Sequence, residues 1–571
     1  MAIRGQDEFL DLPFQEKLEF LYGLPARQKR DLILSAREAE RLVQSFTPET
    51  LFYTVKEIGP ADAGDLLSLA LPEQVKGLFD LDCWKKDRPD LDRMREWVEA
   101  MAEAGRKRIA DALMDCDMEL VALLLRQYVE VHRMDDPLDM PDFPSSRFVQ
   151  FDEHYLIEFI RHDSIYPLIQ DFLEEVFERD YNYYAGLMEE IYWGVEAELE
   201  EQAYSFRHAR LADRGFPDFF EAQDVFAYLN PQRFREIRAG YVAPIRDDLL
   251  GESEALPPEM APALTEGDNS LFNAALTAGF AAQGRRQLRS EMAMVANQVL
   301  VARQVDFGDL DAVRVTVEMT HNLLNLGLEH LAGGDLNTAI ENLRDTPLKL
   351  LFRLGVSLTI DLRKRTEATL GRFGLRADRA REIPYFDSPY REALAGFVAR
   401  LPRFYAGLDR GGAVEMRDFN TMRDLHLGYA MLEQLDAIPD FFRALLQIDL
   451  ASPGFRGQVA GREVRLSQIL LTALARIALE GRLVPEPIEA SRLPAMHAAV
   501  MTRSGRPARL KESFRTLVAE TIVKRVGETS HARSADFVNS CLNILEEEFA
   551  HLEPEREIDP RFIRCVLLRR G

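Results

Sequence analysis

Two of the Glu-x-x-His triplets in this sequence have residue types and a spacing that could do chemistry. They are Glu318 with His321 and Glu548 with His551. Residues three apart share one face of a helix, and helical bundles with two iron or manganese ions place Glu and His in this way. The four residues therefore form a hypothesis of one shared metal ion. The alternative is ordinary surface or core residues, because ten histidines in an acidic chain give about one such triplet by chance.

A run of carboxylates between Asp171 and Glu201 is the second candidate. It holds eleven acidic residues against the single Arg179. Five of the acidic residues form two tight groups, namely Glu174, Glu175, Glu178, Glu189 and Glu190. Clustered carboxylates attract Mg²⁺, Ca²⁺ or a basic partner, so the run predicts a cation or partner surface. The alternative is a solvated helix face whose apolar residues turn inward.

A basic stretch near the C-terminus has the opposite sign. Its first basic residues are Arg503, Arg506, Arg509, Lys511 and Arg515. Such a patch could dock on RNA, on DNA or on an acidic protein surface. Because the whole chain is acidic, contact with its own acidic helices is favoured and nucleic acid is not an expected partner.

Aromatic residues cluster in the segment DYNYYAGLMEEIYWG. They are Tyr181, Tyr183, Tyr184, Tyr192 and Trp193. Tyr and Trp combine an apolar ring with a polar group, so they are common at interfaces and in pockets. Packing between adjacent helices is the alternative for this cluster.

The signatures of common enzymes are missing from the sequence. It contains no GxxxxGK[ST] phosphate loop, no GxGxxG after a strand, no GxSxG elbow and no HExxH pair. No residue is therefore predicted to be catalytic, and an enzyme is the less favoured class. No cofactor is identified, although the metal hypothesis and the acidic hypothesis would both use a divalent cation.

The composition describes a globular, acidic protein with several structural units. The chain has 571 residues, of which 47% are hydrophobic and 29% charged. That is too long for one hydrophobic core and apolar enough to bury several. The formal charge of −25 repels phosphate backbones and anionic lipid surfaces.

Cysteine usage and apolar runs predict a soluble, cytoplasmic protein. Cys83, Cys116, Cys541 and Cys565 are scattered, which is typical of reduced thiols rather than of a disulfide framework. The N-terminal MAIRGQDEFLDLPFQEK lacks the basic start and apolar core of a signal peptide. The apolar run LVALLL is far shorter than the roughly 20 residues that span a bilayer, so membrane insertion is not expected.

The elements that must position these residues are helices. Pro48, Pro60 and Pro72 recur every twelve residues in TPETLFYTVKEIGPADAGDLLSLALPEQVKGLFDL. Apolar residues follow each proline at offsets of three and seven, and Ile58 and Ala70 follow Pro48 and Pro60 at an offset of ten, which is one helix face. Proline suits the first turn of a helix, and Thr47 is a good N-cap. Short helices at this spacing predict stacked pairs, that is, an α-solenoid.

The same residues support a resemblance to a known family. GPADAGDLLSLALPEQVKGLFDL resembles the short-helix superhelix at the N-terminus of the cytosolic part of MgtE-type magnesium transporters, over residues 24–125. The paired CBS modules and the membrane helices of those transporters are not recognisable here, so magnesium transport is not implied and no metal ligand can be transferred. The order of segments is similar to that of an uncharacterised bacterial helical family, which supplies no activity.

Composition shifts divide the chain into units. The predicted boundaries are a superhelix at 1–131, a linker at 132–152, an acidic helical unit at 153–250, a linker at 251–270, a long-helix unit at 271–374 and a C-terminal helical unit at 375–571. Within YSFRHARLADRGFPDFF, Gly215 and Phe216 form a helix stop signal. The sequence predicts an all-α fold with at most one short β-hairpin near 456–466.

A cytosolic helical scaffold or regulatory protein-interaction module is the function that these patterns favour. Solenoids present extended surfaces on which other proteins dock, so the expected partner is another protein. One alternative is a carboxylate/His metalloenzyme in the C-terminal half. Another is an acidic sensor that responds to Mg²⁺. The oligomeric state stays open.

Overall fold

The computed structural model describes residues 9–22, 24–134, 147–161, 164–240, 270–376, 385–409, 415–455, 464–502, 507–552 and 558–569. Most of these residues are helical and the strands are short, so the predicted all-α class is confirmed. The predicted hairpin near 456–466 falls mainly on residues 456–463, outside the described residues. Within the described ranges, no helix combines the length and apolar character needed to cross a membrane.

The chain divides into two compact units. Unit 1 comprises Met1–Ala227, Pro231–Leu324 and Leu331–Arg353, and unit 2 comprises Tyr228–Asn230, Asn325–His330 and Leu354–Gly571. The linker and domain boundaries predicted from composition stay predictions.

Unit 1 contains most of the shorter helices. In chain order the helices are α1 (Phe14–Tyr22), α2 (Ala26–Ser35), α3 (Ala39–Gln44), α4 (Pro48–Ile58), α5 (Gly64–Leu69), α6 (Pro72–Asp82), α7 (Leu91–Ala100), α8 (Arg106–Asp115), α9 (Met118–Leu125), α10 (Tyr166–Arg179), α11 (Tyr181–Trp193), α12 (Glu196–Asp213), α13 (Phe219–Gln223), α14 (Pro231–Gly240), α15 (Leu271–Gly279), α16 (Ala282–Ala302), α17 (Leu310–Ala332), α18 (Leu336–Asp345) and α19 (Leu348–Arg372). Residues of α17 and α19 are assigned to both units.

The strands of unit 1 form two small antiparallel sheets. Strands β1 (Trp84–Lys85) and β2 (Arg88–Pro89) make a hairpin. Strands β3 (Val129–Arg133), β4 (Phe148–Gln150) and β5 (Tyr155–Phe159) make a three-stranded sheet with β5 in the centre. Its register pairs Val129 with Phe159, and Val129, Val131, Ile157 and Phe159 are buried on one face. The sheet pairs segments far apart in sequence, which a local pattern does not reveal.

Local signals explain where several N-terminal elements begin. Pro48 and Pro72 occupy the first position of α4 and α6, and Thr47 Oγ1 accepts a hydrogen bond from Thr50 N at 3.1 Å. Pro60 begins a 3-10 turn over Pro60–Asp62, and α5 follows it. The predicted helix starts are therefore present at two of the three prolines, while the solenoid itself stays a prediction.

The end of α12 follows the predicted stop signal. Gly215 has a φ of +82°, and the amide of Phe216 donates to Leu211 O while that of Gly215 donates to Ala212 O. This pair of bonds is the Schellman motif, which satisfies carbonyls that have no partner inside the helix.

Two buried aspartates near the end of α6 organise the core of unit 1. Asp82 is 3% exposed and accepts hydrogen bonds from Lys56 Nζ, Arg93 Nη1 and Trp97 Nε1, each at 2.9 Å. Asp80 accepts from Arg210 Nη2 at 2.8 Å. Buried carboxylates cost free energy unless they are paired, and these two are fully engaged.

Unit 2 contains longer helices and two small sheets. Its elements after α19 are α20 (Tyr390–Phe397), β6 (Phe404–Tyr405), β7 (Met416–Arg417), α21 (Met422–Leu446), α22 (Leu466–Glu480), β8 (Ile488–Glu489), α23 (Leu493–Val500), α24 (Glu512–Val526), α25 (Glu528–Phe549) and β9 (Leu568–Arg569). Strands β6 and β7 pair antiparallel, and β8 and β9 pair parallel. In its core, the ring of His497 stacks on Phe549 with centroids 6.0 Å apart.

Candidate functional site

The two Glu-x-x-His triplets lie in separate units. In unit 1, His321 is buried, with its ring edge-on to Phe272 at 5.5 Å, whereas Glu318 on the same helix is exposed. In unit 2, Glu548 Oε1 accepts from the backbone amides of Arg564 at 2.7 Å and Cys565 at 3.0 Å. His551 is exposed. The shared metal ion stays a prediction.

Three of the predicted acidic residues share one internal counter-ion. Glu174, Glu175 and Glu178 on α10 each accept a hydrogen bond from the Arg106 guanidinium, at 2.7 to 2.8 Å. The bond to Glu175 is the main cause that raises the pKa of Arg106. Arg179, also on α10, pairs with Asp111. The positive charge of Arg106 therefore compensates part of the negative charge of this acidic run.

The other two predicted acidic residues lie on α11. Glu189 Oε1 accepts from Tyr155 Oη at 2.5 Å. Burial and, after it, this bond raise the pKa of Tyr155 to about 12. The Glu190 backbone carbonyl accepts from Arg126 Nη2 at 2.8 Å. The predicted cation or partner surface thus lies on α10 and α11 of unit 1, and its role stays a prediction.

Arg126 fixes the turn between α11 and α12. Besides the bond to Glu190 O, it donates to Ile191 O at 3.0 Å and to Gly194 O at 2.6 Å. Carbonyls at a helix C-terminus have no partner inside the helix, and a cation there also interacts favourably with the helix dipole. A Cβ at Gly194 would lie 2.5 Å from Glu190 O, so the close approach requires glycine. One guanidinium and one glycine together define the path of this turn.

The turn presents an aromatic corner, defined here as Tyr192, Trp193 and Val195. All three side chains are exposed, Trp193 by 65%. The rings of Tyr192 and Trp193 meet edge-on with centroids 4.7 Å apart. Large apolar side chains that are exposed together at a fixed position are typical of contact surfaces.

Acidic residues surround the aromatic corner on its C-terminal side. Glu196, Glu198 and Glu201 in the first turns of α12 are exposed. Carboxylates at the start of a helix are favoured by its dipole, and they give the corner a negative edge. The corner can therefore offer aromatic faces and carboxylates to the same ligand.

The aromatic cluster predicted from the sequence separates into two parts. Tyr184 is buried and contacts Phe177, with ring centroids 5.2 Å apart, and it also lies beside Tyr181. Tyr192 and Trp193 point outward. Both hypotheses for the cluster, packing and interface, thus describe some of its members.

Most of the described basic patch has partners inside unit 2. Arg515 Nη2 donates to Glu546 Oε2 at 2.5 Å, and Lys511 Nζ donates to the carbonyl of Ala498. Arg509 is exposed. Arg503 and Arg506 lie outside the described residues. A docking role for this patch stays a prediction.

Sequence reasoning did not identify Arg126. It follows the LVALLL run, and its acceptors lie 64 to 68 residues later in the chain. No local pattern marks an arginine that caps a distant helix.

Comparison with known proteins places the chain in a family. No curated protein and no solved structure matches it. A family of unknown function, DUF6178, matches residues 6–569. That match covers almost the whole chain, so the protein belongs to the DUF6178 family.

Proposed function

We propose that the protein is a cytosolic helical interaction module that binds a basic partner protein through the aromatic corner. The observation that carries the proposal is the 65% exposure of Trp193 on a turn held by Arg126. Aromatic anchors in a rigid setting lose little conformational entropy on binding, which is why Trp and Tyr dominate interface energetics.

The charge around the corner supports a basic partner. Trp and Tyr faces attract Lys and Arg through cation–π interactions, and nearby carboxylates strengthen that attraction. Glu196, Glu198 and Glu201 provide those carboxylates, and the chain as a whole has a formal charge of −25. A segment with Lys or Arg next to apolar side chains fits both features.

Two further observations support a cytosolic location and the architecture of a helical scaffold. The four cysteines are free and buried, which suits a reducing compartment. The resemblance of residues 24–125 to the superhelical domain of magnesium transporters supports an extended helical surface within unit 1, which also holds the corner, although no transport activity follows from it.

Two other exposed aromatic residues are less suited to anchor a partner. Phe220 lies on the five-residue helix α13, and Phe562 lies in the 3-10 turn Pro560–Phe562. Arg561 and Arg564 flank Phe562, and Arg561 Nη2 pairs with Asp559 Oδ2 at 2.7 Å. Phe562 is an exposed aromatic side chain of unit 2 and serves as the control for Trp193.

The test is site-specific photo-crosslinking in the native cells. A photo-crosslinking amino acid replaces Ala197, which is exposed beside the corner, in the full chain. We expect a crosslink to one partner at a segment rich in Lys and Arg. Trp193→Ala should reduce the crosslinked product at least tenfold, because the anchor is lost, and Phe562→Ala should leave it unchanged.

One result of the crosslinking experiment would contradict the proposal. A crosslinked product that is the same in the Trp193→Ala and Phe562→Ala proteins would remove the aromatic corner as the docking surface. Circular dichroism of both variants checks that each is folded before the comparison.

A further inference from the structure

We propose that Glu130, His132 and Glu158 bind a divalent transition-metal ion on the three-stranded sheet of unit 1. Glu130 and His132 lie on β3, and Glu158 lies on the central strand β5. One donor atom from each side chain lies within 4.8 Å of the other two. None of these residues belongs to the triplets or to the aromatic corner.

The sheet register places the three side chains on one face. Glu130 is directly opposite Glu158, and His132 is opposite Leu156, two residues along. Alternate residues of a strand share a face, so both positions of β3 and both of β5 point the same way. Backbone pairing therefore sets the spacing of the donors independently of side-chain packing.

The two carboxylates are unfavourable neighbours without a cation. Like charges directly opposite each other on adjacent strands destabilise a sheet. Among the described residues, no lysine or arginine forms an ion pair with Glu130 or Glu158, and a hydrogen-bond contact within the group joins His132 Nε2 to Glu158 Oε2 at 3.2 Å. An ion held between the carboxylates would offset their repulsion.

The donor set selects the type of ion. Carboxylate oxygens accept many divalent ions, but an imidazole nitrogen favours Zn²⁺, Co²⁺, Mn²⁺ or Fe²⁺ over Mg²⁺ and Ca²⁺. In a tetrahedral zinc site with bonds of about 2.0 to 2.2 Å, neighbouring donor atoms lie about 3.3 to 3.6 Å apart. His132 Nε2 and Glu158 Oε2 are 3.2 Å apart, and all three donor atoms lie within 4.8 Å of one another, so the spacing is compatible with one ion.

The surroundings keep the site partly open. Glu158 and His132 are half-buried and Glu130 is exposed. The Phe148 ring lies 6.4 Å from the His132 ring and restricts its orientation. Three protein ligands leave at least one position for water or for another ligand, as in catalytic rather than closed structural zinc sites.

The test is equilibrium dialysis of the full chain, stripped with a chelator, against Zn²⁺ and separately against Mg²⁺. We expect one saturable equivalent of Zn²⁺ per chain and no equivalent binding of Mg²⁺. His132→Ala and Glu158→Gln should each weaken Zn²⁺ binding at least tenfold. His154→Ala and Glu153→Gln are the matched controls, because both side chains are exposed just before β5, and they should leave the binding unchanged.

Three results would overturn the proposal. The first is wild-type protein without a saturable Zn²⁺ equivalent. The second is equal binding by wild type and the site variants, and the third is an equal loss in site and control variants. If His132→Ala fails to fold by circular dichroism, the isosteric Glu130→Gln and Glu158→Gln proteins decide the matter alone.

Discussion

At the scale of single residues, Asp82 is the most heavily engaged carboxylate of unit 1. It accepts from Lys56, Arg93 and Trp97, and its side chain is buried. Removing the Asp82 carboxylate leaves the charged groups of Lys56 and Arg93 and the indole N–H of Trp97 without this acceptor in a partly buried setting. Removing one member of a buried ion pair costs more free energy than the intact pair contributes to stability.

Asp82→Ala should therefore destabilise unit 1 by about 3 to 5 kcal/mol. The measurement is urea unfolding followed by circular dichroism, with the midpoint converted to a free energy. Asp87→Ala is the control, because Asp87 is exposed five residues away, and it should change stability by less than about 0.5 kcal/mol. Similar losses in the two proteins would show that the Asp82 contacts contribute little.

The residue scale is also where sequence reasoning reaches least far. The partners of Asp82 lie 11 to 26 residues away, and Arg210 reaches Asp80 across 130 residues. An aspartate in a helix pattern predicts a solvated position, yet here it is buried and paired. The Glu130, His132 and Glu158 group was missed for the same reason, since strand pairing and not sequence spacing brings it together.

At the scale of elements, the stop signal of α12 depends on one backbone conformation. Gly215 has a φ of +82°, a region that costs L-residues about 1 to 2 kcal/mol. A Cβ there would also lie 3.3 Å from Met294 Cγ. Met294 would have to move by a few tenths of an ångström, so the backbone conformation carries the prediction.

Gly215→Ala should accordingly lower the free energy of unfolding by about 1 to 2 kcal/mol. Gly371→Ala is the opposite control: Gly371 lies in the last turn of α19 with open space around its Cβ position. That change should stabilise by up to about 1 kcal/mol, because alanine is the better helix former. Thermal melts compare the two, and a loss in both proteins would contradict the conformational explanation.

Local signals predicted the elements correctly at Thr47, Pro48 and Gly215 but not at Pro60. Thr47, Pro48 and Gly215 each act through neighbours within five residues, and the structure has the expected caps and turns there. Pro60 is predicted to begin another α-helix but begins a 3-10 turn. Only three residues, Pro60–Asp62, form this turn between Gly59 and Ala63, and α5 follows at Gly64. The exposure of Trp193 could not be predicted, because an aromatic residue at a helix end has the same pattern whether a neighbour covers it or not.

At the scale of the whole molecule, charge and burial act on stability in opposite directions as the pH falls. The formal charge is −25 at pH 7 and the pI is near 5.0, so acidification relieves self-repulsion. Burial lowers the pKa of His497, which is 4% exposed. Among the described residues its Nε2 has no hydrogen-bond partner. The unfolded chain therefore binds a proton at this histidine more readily than the folded chain.

The sign of the effect follows from that difference. Above the unfolded pKa of about 6.5 both states are neutral at His497 and stability is unaffected. Below about pH 6.5 the unfolded state binds the proton first, so the free energy of unfolding decreases as the pH is lowered. His497→Leu should remove this loss. When the pH is lowered from 7.5 to 5.5, the melting temperature of wild type should therefore fall more than that of His497→Leu.

His551→Gln is the control for the pH series. His551 is exposed, so its replacement changes a histidine without changing the core. The charge of the whole molecule affects all three proteins alike and cancels in the comparison. Parallel pH profiles for wild type and His497→Leu would show that burial of His497 does not set the acid sensitivity.

The aromatic corner also gives the molecule an optical reporter of its own. The chain has three tryptophans. Trp84 and Trp97 are buried, at 8% and 2% exposure, while Trp193 is 65% exposed. A small neutral quencher such as acrylamide therefore reaches the fluorescence of Trp193 almost alone. Any molecule that settles on the corner will shift that emission to shorter wavelength and shield it from the quencher, without a label on either protein.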